Sequence, residues 1–255
     1  MPGTPRPGID AYILCTAPRS GSTLLCRLLL ATGVAGRPGS HFHEPALAHW
    51  MQVYGIAPDA RPSPRAAVFA AALARGRDGG AVFGLRLQRR SAEYFFGQLA
   101  ELYPGMSGDR ARIAAAFGQT AYLYLHREDK VAQAVSRALA EQSGLWHRHA
   151  DGSELERMAP PKEPVYDAAL LRAHVAQHTA WDAAWRDWFA IAGVRPFEIR
   201  YEDLAAAPHA TLAAVLAHLG LPADAARGVA VPTARLWDAR NAAWCARFRA
   251  ERGSG

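Results

Sequence analysis

Residues 15–25 read CTAPRSGSTLL: an apolar run gives way to Pro18, Arg19, Ser20, Gly21, Ser22 and Thr23, and apolar residues then resume. Upstream, AYILCT (11–16) is an unbroken apolar run of the length of a strand buried on both faces. Downstream, TLLCRLLLATG (23–33) sets Leu24, Leu25, Leu28 and Leu29 at helical spacing and stops at Gly33. Strand, polar loop and helix form the opening unit of a parallel α/β sheet. In that unit the loop and the positive end of the helix dipole face an anion beyond the strand's carboxyl end. Gly21 lets the backbone approach closely, three hydroxyls add donors and Arg19 adds charge. A helix start that merely caps itself needs one such residue and leaves the rest of the cluster unexplained.

Working outward, strands are expected at 81–88, 120–126 and 197–201. Helices are expected near 44–54, 64–75, 91–102, 129–143, 166–192, 208–219 and 236–251. Short strands alternating with helices predict an α/β fold with a parallel sheet flanked by helices. No repeat or linker divides the chain, so 11–255 reads as a single domain preceded by a flexible arm, 1–10. Trp181, Trp185 and Trp188, at i, i+4 and i+7 of the longest helix, read as a core stripe.

The chain has 255 residues, half of them apolar, enough for a sizeable core. Of its 29 basic residues all but Lys130 and Lys162 are arginine, whose planar fork suits phosphate and sulfate. The net charge of +6 permits nucleic-acid binding, but acidic residues interleave the arginines in HREDK and FRAER, which argues against it. Cys15, Cys26 and Cys245 form neither a disulfide framework nor a zinc motif, and a reducing compartment fits them. No signal peptide and no run of about 18 apolar residues is present, so a soluble, cytoplasmic protein without a transmembrane segment is expected.

Two nucleotide fingerprints are excluded by inspection. A Walker loop would need a lysine before Ser or Thr, whereas Ser22 precedes Thr23 here, and Gly21 stands alone where a dinucleotide fold needs three glycines. A P-loop-like kinase would need that lysine with magnesium.

APRSGSTLL resembles the 5′-phosphosulfate loop of sulfotransferases that use 3′-phosphoadenosine 5′-phosphosulfate (PAPS). YLYLHREDKVAQAVSRA (122–138) is similar to their 3′-phosphate site, and RYEDLAAAPHATLAAVLAHLGL (200–221) to a segment that follows the sheet in many of them. With KVAQAVSRALAEQSGLWHR and RNAAWCARFRAE, the resemblance narrows to the bacterial trehalose 2-sulfotransferase family and covers most of the chain. It implies a P-loop-like sulfotransferase fold, PAPS as sulfuryl donor without a metal, a carbohydrate or glycolipid acceptor, and a homodimer. It also implies that Arg19 stabilises the transferring group, with Ser20, Gly21, Ser22 and Thr23 around it, and that Arg127 and Ser136 hold the 3′-phosphate.

The acceptor hydroxyl needs a proton acceptor within reach. Where the related enzymes carry a glutamate, this chain has Ser40, which cannot serve. Glu44, in HEPAL, is similar to a glutamate of some carbohydrate sulfotransferases, and His41 and His43 flank the same place, so all three are candidates. A zinc site built on His41, His43 and His49 lacks a further ligand motif, and HVAQH (174–178) lacks the glutamate of a zincin helix. Arg86, Arg89 and Arg90 read as a solvated strand end, with a contact from Arg86 to donor or acceptor as the alternative.

Overall fold

The computed structural model describes residues 8–149, 151–231 and 238–253. Its centre is a four-stranded parallel sheet in the order β2–β1–β3–β6, formed by Phe83–Gln88, Ala11–Thr16, Thr120–His126 and Phe197–Arg200. β1 lies in the middle and is buried along its whole length, which is why AYILCT carries no polar alternation.

The two faces of the pleat build two cores. Ile13 and Cys15, with Phe83, Leu85, Tyr122 and Tyr124, pack beneath four helices: α2 (Leu47–Tyr54), α3 (Pro64–Arg77), α4 (Arg89–Leu102) and α5 (Asp109–Phe117). The second half of the long α7 (Ala168–Ala192) joins that layer. On the opposite face Tyr12, Leu14, Leu123, Leu125 and Ile199 meet α1 (Ser22–Ala31), α8 (Tyr201–Ala206) and α9 (Pro208–His218). A smaller cluster joins α6 (Lys130–Ser143), the start of α7 and the closing α10 (Ala239–Gly253). Successive side chains of a strand leave by opposite faces, so odd and even positions of β1 divide between the two cores.

Among the described residues the expected strands and long helices are present within a few residues of their expected ends. The second helix starts at Leu47 instead of 44: Pro45 disfavours the helical conformation at Glu44 before it, and Ala46 is extended (φ −142°, ψ 116°). Positions 236 and 237 of the closing helix, and residues 1–7 of the expected arm, lie outside the described residues. Asp10, just before β1, is tied to the residue just before β3: its backbone N–H donates to Gln119 O, and its carboxylate accepts from Gln119 N at 2.7 Å. Three elements carried no recognisable signal. They are α5, α8 and an antiparallel hairpin of β4 (Leu145–Arg148) and β5 (Glu154–Arg157).

Candidate active site

The carboxyl ends of β1, β2 and β3 open into one cleft of about 410 Å³, within the usual range of ligand sites. Pro18, Arg19, Gly21, Ser22 and Thr23 form its floor, with Arg127 and Ser136 to one side and Ser40, His43 and Arg86 to the other. The β4–β5 hairpin contributes Trp146, His147 and Glu156, and Tyr201 closes the side formed by α8.

Local chemistry holds the 17–23 loop in place. Trp185 Nε1 donates to Thr16 O at 2.9 Å, and Gln133 Nε2 donates to Pro18 O at 2.8 Å, tying the loop to α7 and α6. Arg19 sits at φ 63° and Gly21 at φ 86°, two left-handed residues within one turn. Such a conformation costs a non-glycine residue free energy, and it clusters where function over-determines the backbone. At Gly21 no alternative fits, because an added Cβ would lie 2.6 Å from Tyr201 Cδ2. The α1 N-cap is Gly21 itself, with no side-chain capping bond, so the loop's hydroxyls are not there to cap the helix. Ser20 is fully buried; its Oγ donates to Ala17 O at 2.8 Å and contacts Thr16 Oγ1, and it does not line the cleft. Ser22 and Thr23 do.

Two sequence blocks that lie more than a hundred residues apart meet at Arg19. Its Nε donates to Ser136 Oγ at 3.0 Å and its Nη1 to Trp146 O at 2.6 Å. Arg127, 5 % exposed, stacks over the Tyr201 ring at 4.4 Å. Burial, then the charge of Arg127, brings the Arg19 guanidinium down to about 10. Two desolvated cations facing one cavity disfavour each other, and an anion between them removes that cost.

Arg86 is not a solvated strand end. It is half-buried, donating from Nε to Ser40 Oγ at 2.8 Å and from Nη1 to Thr23 Oγ1 at 3.0 Å. The same Thr23 oxygen lies 3.0 Å from His147 Nε2. Burial first, then Arg19, Arg86 and Arg27, bring the His147 imidazole down to about 3, so it is neutral at physiological pH.

The three candidate proton acceptors part company. His43 lines the cleft; its Nδ1 meets Ser40 O at 2.9 Å, which makes Nδ1 the protonated nitrogen and leaves Nε2 to accept. Glu44 Oε1 lies 3.9 Å from that same Nε2, half-exposed and outside the lining. His41 turns away: Nδ1 meets Tyr54 Oη at 3.1 Å, and burial with Arg75 brings its ring down to about 4. Among the described residues no three of His, Cys, Asp and Glu are grouped to hold a metal ion, and no helix is long and apolar enough to cross a membrane.

The tryptophan stripe divides as well. Trp185 is fully buried and Trp188 packs against the core, but Trp181 lines the cleft, with the Arg137 guanidinium 5.1 Å over its ring. Periodicity alone could not separate them, since all three share one helix face. His147 and Tyr201 were likewise not singled out, although both lie within stretches that carry the resemblance, because nothing in the local spacing marks either as facing the cleft.

Residues 11–251 match the family described as Stf0 sulphotransferase. Trehalose 2-sulfotransferase of Mycobacterium tuberculosis (strain ATCC 35801 / TMC 107 / Erdman) is 30 % identical, the match covering 95 % of this chain and 96 % of that protein. Trehalose 2-sulfotransferase of Mycolicibacterium smegmatis (strain ATCC 700084 / mc(2)155) is 28 % identical over 76 % of this chain and 78 % of its own length. Among solved structures, the sulfotransferase domain from the Synechococcus PCC 7002 olefin synthase covers 97 % of this chain and 90 % of its own, with 16 % identity and a TM-score of 0.47.

Proposed function

Given that the chain belongs to the Stf0 sulphotransferase family, we propose that it moves the sulfuryl group of PAPS to a hydroxyl of a carbohydrate or glycolipid. The observation that supports this most is the convergence of Arg19, Arg127 and Ser136 on one cleft, with Arg19 bonded directly to Ser136. A loop suited to a phosphosulfate and a second cation beside a hydroxyl match a nucleotide that carries anions at both its 5′ and 3′ positions. The carbohydrate acceptor is argued from the relatives' names.

In this reading Arg19 binds the sulfuryl and 5′-phosphate oxygens, with Gly21, Ser22 and Thr23 around them and Ser20 holding the loop's shape. Arg127 and Ser136 hold the 3′-phosphate. Sulfuryl transfer, like phosphoryl transfer, passes through a loose transition state, so positioning and charge stabilisation carry most of the catalysis. Arg86, through its bond to Thr23, adds a third cation where the group changes hands. His43 lines the side of the cleft that takes the acceptor, with Glu44 beside it. Residues 11–255 form the catalytic domain. The three cysteines, all free and buried, suit a cytoplasmic enzyme, and the family resemblance supports a homodimer, which light scattering tests.

The experiment is a thermal-shift series with adenosine 3′,5′-bisphosphate, ATP with magnesium, and a DNA duplex. A ligand at a hundred times its Kd stabilises by about 2.7 kcal/mol. The bisphosphate is expected to raise the melting temperature; stabilisation only by ATP with magnesium, or only by DNA, overturns the reading. Mass-spectrometric detection of a product heavier by SO₃, in extracts given the enzyme and PAPS, identifies the acceptor.

A further inference from the structure

We propose that His147 is the proton acceptor of the transfer, its Nε2 taking the hydrogen of the attacking hydroxyl. The proposal rests on the donor site described above. His147 comes from β4, in the hairpin that lies over the start of α1, and lines the cleft beside Thr23 and Arg86. Its Nε2 is 3.0 Å from Thr23 Oγ1 and 3.5 Å from Glu156 Oε2 on the neighbouring strand. Thr23 Oγ1 accepts from Arg86 Nη1 and keeps a hydrogen of its own to give. In the neutral tautomer with its proton on Nδ1, His147 presents the Nε2 lone pair at this edge of the sulfuryl seat, where the attacking hydroxyl replaces Thr23 as its partner.

The charges around the ring come from every element packed against it: Arg19 on the 17–23 loop, Arg27 on α1, Arg86 on β2 and Glu156 on β5. Burial first, then the three cations, keep the imidazole unprotonated in the free protein and therefore able to accept. A strong base is not required. As the acceptor oxygen bonds to sulfur its hydrogen becomes strongly acidic, and a neutral imidazole suffices to remove it. The imidazolium so formed is steadied by Glu156, while the anionic groups of bound PAPS offset Arg19 and Arg86.

Atoms and electrons balance as follows. The acceptor O–H bond breaks and its proton passes to His147 Nε2, and an oxygen electron pair forms the new bond to sulfur. The bond from sulfur to the 5′-phosphate oxygen breaks, and adenosine 3′,5′-bisphosphate leaves with that pair. His147 then returns the proton to water. His43 is joined to the 17–23 loop only through Ser40 and Arg86, whereas His147 touches Thr23 directly.

Transfer to water needs no identified acceptor, so release of inorganic sulfate from PAPS is the assay, run on the wild type, H147Q, H147A and H43Q. Bisphosphate affinity is measured calorimetrically on each. H147Q is expected to lose about 100-fold or more in sulfate release while binding bisphosphate within about threefold of wild type, the range of a lost general base. Added imidazole is expected to restore part of the H147A rate, and H43Q to lose less than about tenfold. Sulfate release by H147Q within about threefold of wild type, or a loss confined to H43Q, overturns the proposal. Nitrogen NMR on histidine-labelled wild type decides independently of turnover and of how the variants fold: an unprotonated His147 Nε2 at pH 7 with bisphosphate bound is required, and a protonated one refutes it. If the wild type fails to bind the bisphosphate at all, the donor-site reading itself is what falls.

Discussion

Gly21→Ala tests the architecture of the 17–23 loop with a single methyl group. The position has φ 86°, and a left-handed conformation costs a residue with a Cβ about 1–2 kcal/mol. For a chain of this size that lowers the melting temperature by about 2–8 °C. The new Cβ would also stand 2.6 Å from Tyr201 Cδ2, closer than two carbons tolerate, so the Tyr201 ring must move. Arg127 stacks on that ring at 4.4 Å and moves with it. Displacing one charge-assisted contact to an anion costs about 1.5–3 kcal/mol, which lowers affinity by about 10- to 100-fold. Calorimetry with adenosine 3′,5′-bisphosphate and a thermal melt are the assays. In the double variant G21A/Y201A, read against Y201A alone, no ring remains to clash and the added methyl contributes only backbone strain, so the two changes are expected to be non-additive. If G21A melts and binds the bisphosphate like the wild type, the coupling from Gly21 through Tyr201 to Arg127 is refuted.

Three further outcomes follow from the same contacts. Arg127→Ala is expected to weaken adenosine 3′,5′-bisphosphate by about 10- to 100-fold and adenosine 5′-monophosphate far less; equal losses would show that Arg127 does not read the 3′-phosphate. Asp182, 3 % exposed, pairs with Lys130 beside the site, and Asp182→Ala strands that cation at about 3–5 kcal/mol in denaturant unfolding; a change under about 1 kcal/mol would place the pair in solvent. Burial alone would raise the Glu141 carboxyl, but His174 at 2.9 Å and Arg137 at 2.7 Å bring it down to about 2. A carboxyl that titrates lower in the folded state stabilises fully above its unfolded value near 4.3 and loses that contribution as pH falls toward 2. The stability gap between wild type and Glu141→Gln is therefore expected to narrow from pH 5 to pH 2, and a gap independent of pH would contradict it.

The local pattern carried the elements and the chemistry of the first loop. AYILCT reads as a strand buried on both faces, and a glycine with an arginine and hydroxyls at a helix start reads as a seat for an anion. Hydrophobic period and capping are local quantities, recorded within a few residues. The β4–β5 hairpin escaped notice because its strands are four residues long and irregularly paired, so no alternation develops. Helices α5 and α8 are short enough that their apolar spacing is lost among turn residues.

Side-chain partnership was legible only in part. LRLQRR in the chain gives no means of telling Arg86, which reaches Thr23 and Ser40, from Arg89, which pairs with Glu93 on its own helix. One turn of α7 separates Trp185 in the core from Trp181 on the cleft wall, a difference set by where that helix runs past the end of β1. Which of His41, His43, Glu44 and His147 line or leave the cleft was likewise decided by the folded chain, because hydrogen bonding and burial join residues up to 169 positions apart. By itself, then, the sequence determined a parallel α/β fold with an arginine-bearing polar loop between its first strand and first helix. Only the tertiary structure decided which charges share that loop's cavity, since desolvation and mutual repulsion act through space and leave no trace in local spacing.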